Sequence, residues 1–207
     1  KKFEAIIQSF SGALGVLDGG TTVQDAPMLD SGLMDENTSS EVLEMQNFQK
    51  LEETIQEYLN ENQLSESVTV LEEEAGLLLR FQDNILFDSG SADLKPESLE
   101  IMSYIAQLLN AEDFEDKFIS IEGHTDNVPM NSPRYPSNWE LSVGRSSNVV
   151  RFLVENNNMD PKRISASGYS EYHPVAPNDN AENRAKNRRV DILILKTIHY
   201  KDSSKNQ

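Results

Sequence analysis

Two residues of opposite charge stand where a ligand could use them. Arg145 falls within a segment opening at Ser137, and on a helix each residue turns about 100°. Leu141, Val149 and Phe152 then share one apolar side, with Arg145 projecting from its middle. A guanidinium cannot shed its charge, so in such a place it needs a carboxylate. That carboxylate is either an internal Asp or Glu, the commoner case, or one brought by a ligand and gripped by the guanidinium fork. Asp126, in Ile121-Glu122-Gly123-His124-Thr125-Asp126-Asn127, lies just past an alternating apolar stretch. Strand ends are where α/β proteins build ligand sites, and Gly123 allows backbone or ligand to come close. The everyday role of such an aspartate is an Asx-turn; the alternative is to hold a ligand's ammonium. Asp126 and Arg145 either pair with each other or take the two ends of a zwitterionic amino acid.

Other chemistry is poorly served. Cysteine is absent, which removes thiolate metal sites, disulfides and cysteine nucleophiles. The three histidines are scattered, and His124 with Asp126 has no third ligand at useful spacing, so no metal or cofactor is expected. His124 reads instead as a loop residue bonded to backbone. No nucleophile–base arrangement or phosphate loop appears, and no catalytic residue is assigned. A net charge of −17 argues against a nucleic-acid partner. The one basic cluster, Arg184, Lys186, Arg188 and Arg189, is read as orienting the last strand and pairing with acidic neighbours. Trp139 reads as a packing residue rather than a sugar-stacking platform.

The elements that must position these residues follow from periodicity. Residues 1–17 space Phe3, Ile6, Ile7, Phe10 and Leu14 as an amphipathic helix, and 18–38 form a polar linker without period. Residues 39–66 hold a second helix to about 62, with Thr38 and Glu41 as a capping box. Its stripe of Val42, Met45, Phe48, Leu51, Ile55 and Leu59 packs on the domain or on a second copy. Residues 67–196 alternate strands and helices. A hairpin of 67–71 and 76–81 is followed by a helix with Pro96 in its first turn, a strand at 118–122 and a helix capped by Ser137 and Glu140. A strand at 164–169, a small helix after Asn178–Asn180 and a closing strand at 189–195 complete an α/β sandwich, with helices on a mixed sheet. Residues 127–136, with three prolines, read as a mobile flap, and 197–207 as a frayed tail. No stretch approaches the roughly 18 apolar residues of a membrane span. The start resembles no signal peptide and is not methionine, so a missing upstream segment is expected.

Five ordered motifs carry a family likeness. Phe87-Asp88-Ser89-Gly90-Ser91-Ala92-Asp93-Leu94, Gly123-His124-Thr125-Asp126, Asn138-Trp139-Glu140-Leu141-Ser142-Val143-Gly144-Arg145 and Ile164–Tyr169, ending in Asn187-Arg188-Arg189-Val190, resemble the OmpA-like peptidoglycan-binding domain over about 77–195. The resemblance implies that Arg145 takes the carboxylate and Asp126 the ammonium of diaminopimelate in the stem peptide, with Phe87, Asp88, Ser89 and Leu141 lining the cleft. Asp126-Asn127-Val128-Pro129 and the 19-residue separation of Asp126 from Arg145 are similar to the motility protein B branch. That likeness implies a non-enzymatic anchor of the flagellar stator, homodimeric and joined to a MotA-type channel subunit. It further implies a single-pass membrane protein whose span lies upstream, with this region outside the cytoplasm and residues 1–17 as a plug. The alternative is a lipoprotein or outer-membrane tether bearing the same domain.

Overall fold

A computed structural model of the chain describes residues 36–197, with side chains from Ser40 onward. The amphipathic segment 1–17, nearly all of the linker and the tail beyond 197 lie outside the described residues. From Ser40 onward the described residues form one compact unit, which holds all that follows apart from the first four residues of the opening helix.

Helix α1, Glu36–Glu61, begins before Thr38, so the expected cap lies inside the helix rather than at its start. Of its expected stripe, Phe48, Leu51, Ile55 and Leu59 are buried in the main core, where Phe48 meets Phe114 edge-on at 5.7 Å. Packing on the domain is therefore observed for these four, while Val42 and Met45 at the start of the stripe stay exposed. Glu44 pins the helix further, accepting from Thr197 N at 3.0 Å and pairing with Lys117 at 3.0 Å.

Strands β1 (Val68–Glu73) and β2 (Gly76–Gln82) form the expected hairpin. A one-turn helix α2 (Asp83–Leu86), then α3 (Ser98–Leu109), β3 (Ile119–His124), α4 (Asn138–Asn157), a 3-10 turn at Pro161–Arg163, β4 (Ile164–Gly168), α5 (Ala181–Asn187) and β5 (Arg189–Leu195) follow. The sheet order is β1-β2-β5-β3-β4, antiparallel except for the β3–β4 pair, which makes it mixed as expected. Side chains alternate across a strand. Leu77, Leu79, Phe81, Ile119, Ile121, Val190, Ile192 and Ile194 therefore face the core that α1, α3 and α4 also fill. The other face carries an ionic row: Arg80 is bidentate to Asp191 at 2.9 Å, and Arg189 meets the same carboxylate at 2.9 Å.

Helix α4 starts as its sequence demands, with the Ser137–Glu140 capping box formed at its N-terminus and Asn158 in the left-handed conformation ending it. It also lies very close to the sheet. Gly123 and Gly168 are register partners on β3 and β4. A Cβ on Gly123 would come within 2.1 Å of the Ser142 carbonyl oxygen, and one on Gly168 within 2.5 Å of Val143. This bare patch seats the second turn of α4, about one turn before Arg145.

Candidate functional site

Strand register builds the site. Gln82 and His124 both pair with Arg189, so β2 and β3 end where β5 begins. The chain one step beyond that row brings Asp83, Arg188 and Thr125-Asp126 together, and Asp83 N donates to Arg188 O at 3.0 Å. Arg145 reaches the same place from α4, and Phe87 and the turn after it close the side. The result is an open cleft of about 610 Å³. Its walls include Asp126, Arg145, Phe87, Asp88, Ser89 and Leu141, so all six sequence candidates are brought to one place.

Arg145 is 1% exposed. Its Nε donates to Ser91 O at 2.9 Å, and its guanidinium carbon lies 5.0 Å from the centre of the Phe87 ring. Nη1 stands 3.3 Å from Asp83 Oδ2, an ion-pair distance, yet it has no hydrogen-bond partner in the protein. Burial draws this guanidinium's pKa down from its ordinary value, with Asp83 opposing the shift and Arg188 adding to it. The internal counter-ion is therefore present, but it leaves the fork incompletely used.

Asp126 does not pair with Arg145. Its Oδ1 accepts from Val128 N at 3.0 Å, the Asx-turn expected of a strand-end aspartate, and its Oδ2 accepts from Arg188 Nη1 at 2.7 Å. Arg188 also reaches Asp83 Oδ2 at 3.3 Å, so Asp83 sits between two guanidinium groups. Burial works against the Arg188 cation, but hydrogen bonds and charge from Asp126 and Asp83 raise its pKa above the ordinary value. Lys95 and Arg184 complete a cationic wall in an otherwise acidic chain. A carboxylate meets at least two cations there, and an ammonium meets Asp126 and Asp88.

Asp83 escaped sequence reasoning because it lies 62 residues from Arg145 and only the strand register joins them. The basic cluster read as structural divides in two: Arg184 and Arg188 line the cleft, and Lys186 and Arg189 do not. Arg189 turns to Asp191 under the sheet, Lys186 pairs with Glu182 at 3.0 Å, and Arg188 faces the cleft. Asn138 also went unassigned. Its amide donates to the carbonyls of Asp126 and Val128 at 3.2 and 3.1 Å, and it accepts from Met130 N at 3.1 Å. With buried Tyr135 packed on Ala92 and Leu141, and Arg134 paired to Asp93 at 2.8 Å, these bonds hold residues 127–136 in place rather than leaving a flap.

His124 also departs from expectation. It is the last residue of β3, 2% exposed, and neither ring nitrogen has a hydrogen-bond partner. Its ring stacks on Tyr169 at 5.2 Å, with Glu122 and Asp191 oxygens 3.9 Å away. Among the described residues no group of three or more His, Cys, Asp or Glu is placed to hold a metal.

A five-stranded mixed sheet with a charged cleft at one end defines an OmpA-type domain, and the OmpA family model matches residues 86–188. Motility protein B of Bacillus subtilis is 33% identical over 94% of this chain and 79% of its own length. The chain belongs to the motility protein B family. A MotB-like protein from Desulfovibrio vulgaris superposes with a TM-score of 0.65 at 29% identity, covering 73% of this chain and 90% of that one. The cell wall anchor of the T6SS from Pseudomonas aeruginosa gives 0.60 at 33%, covering 68% and 96%.

Proposed function

We propose that the cleft holds the free amino-acid end of diaminopimelate in peptidoglycan, and that the chain is the extracytoplasmic part of a flagellar stator subunit anchored in this way. The observation that carries the reading is the buried Arg145 fork, its Nη1 without a hydrogen bond at the wall of an open cleft. A ligand carboxylate supplies the missing acceptor, and Phe87 keeps water from the guanidinium's face. Asp126 receives the ammonium as a third donor beside Val128 N and Arg188, which a carboxylate with about four acceptor positions permits. The site recognises and releases; it carries out no reaction. In a homodimer joined to a MotA-type channel subunit, two such weak grips add through effective concentration. Membership of the family and the likeness to a cell wall anchor support this reading over a lipoprotein or outer-membrane tether.

Titration calorimetry with free diaminopimelate tests the site. Arg145→Lys keeps the charge and removes the fork, and is expected to weaken binding by roughly 30-fold or more. Asp126→Asn is expected to do the same with the fold unchanged by circular dichroism. Unaltered affinity in either variant contradicts the assignment.

A further inference from the structure

Beside the cleft stands an aromatic step. The Trp139 and Tyr172 rings stack with centroids 5.5 Å apart and 28° between planes, yet the residues remain 48% and 65% exposed. Val143, one turn along the same face of α4, is 44% exposed. A packing role accounts only for the stack of Trp139 on Tyr172, a partner itself mostly in water. Grouped exposed aromatics of this kind mark recognition surfaces. The step is continuous with the cleft: Trp139 follows cleft-lining Asn138, whose amide donates at 2.9 Å to Glu171, the residue before Tyr172.

We propose that this step is a carbohydrate subsite for an N-acetylated amino sugar of the glycan strand, an inference resting on the peptidoglycan reading of the cleft. The C–H face of a pyranose is weakly positive and apolar, and it stacks on the negative face of an aromatic ring. Hydroxyl and acetamido groups at the sugar's edge find the Glu171 carboxylate and water. The amino acid held in the cleft is joined to its sugar by a short peptide, and two extended residues span roughly 7 Å. The sugar therefore arrives at the rim and not within the charged pocket. Stacking there also gives the acidic chain a contact that salt does not screen.

Trp139 is the sole tryptophan of the chain, so its emission reports this spot directly. The experiment titrates the whole 207-residue chain with a stem tripeptide containing diaminopimelate, and with the same tripeptide on its N-acetylglucosaminyl–N-acetylmuramyl disaccharide. The disaccharide form is expected to shift the emission and bind about tenfold more tightly. With affinities of the variants read by titration calorimetry, Trp139→Ala and Tyr172→Ala each remove that gain and leave tripeptide affinity alone, while Trp139→Phe keeps part of it. Equal affinity for the two ligands with unmoved emission overturns the subsite and leaves the cleft reading standing. Failure of both ligands to bind overturns both. An emission shift on raising protein concentration without sugar shows that a second copy covers the step, and overturns the proposal.

Discussion

Arg145 shows how far one side chain can be read before its neighbours are known. An arginine amid Leu141, Val149 and Phe152 announces a required partner, and Asp83 stands at ion-pair distance to answer. The commoner reading therefore holds, but it does not exhaust the residue, because Nη1 lacks a hydrogen bond. Asp126 behaves likewise: the ordinary Asx-turn uses one oxygen and leaves the other to Arg188. His124 carries a prediction at this scale. Burial, reinforced by Arg189 and opposed by Asp191, pushes its pKa down to about 3 from the ordinary 6.5. The unfolded chain thus binds a proton in that window that the folded chain refuses. Stability from this group is full above pH 6.5 and is lost as pH falls toward 3. Each pH unit costs at most about 1.4 kcal/mol. His124→Phe is expected to flatten the acid limb of stability, followed by urea midpoints, recovering up to ~3 kcal/mol near pH 4. An unchanged slope contradicts the assignment of this loss to His124.

At the scale of elements, the site depends on how closely α4 approaches the sheet. The glycine pair of β3 and β4 permits that approach, and the capping box fixes where the helix begins. Gly123→Ala drives a methyl group into the Ser142 carbonyl. Overpacking of this kind costs ~1–3 kcal/mol, and the displaced helix should carry Arg145 away from the cleft. Denaturant unfolding and calorimetry together are expected to show lower stability and weaker diaminopimelate binding. A variant of native stability and affinity contradicts this account of the packing. Local signals made these elements legible: the hairpin, the Ser137 cap and the closing strand all fall within a residue or two of their expected places. The start of α1 was not, because Thr38 and Glu41 imitate a cap within a helix that begins at Glu36. The junction of Asp83, Arg188 and Asp126 was not either, because it depends on which strands are neighbours. Residues 127–136 misled for a related reason. Their composition suggests freedom, while what holds them comes from outside the segment: the bonds of Asn138 and the packing of Tyr135 on Ala92 and Leu141.

For the whole molecule, charge is distributed to match an anchor. A chain of net charge −17 gathers Lys95, Arg145, Arg184 and Arg188 beside Asp83, Asp88 and Asp126 in one cleft, so a zwitterionic ligand finds both signs of charge in a single place. Helix α1 joins that domain through the shared core, so a pull entering through α1 meets buried Phe48, Leu51, Ile55 and Leu59 rather than a loose tether. The measurement that bears most directly on the anchor is co-sedimentation of the chain with purified peptidoglycan, wild type beside Asp126→Ala and Arg145→Ala. Wild-type chain in the pellet, with both folded variants left in the supernatant, is the predicted result. Arg145→Ala sedimenting as fully as wild type would contradict it.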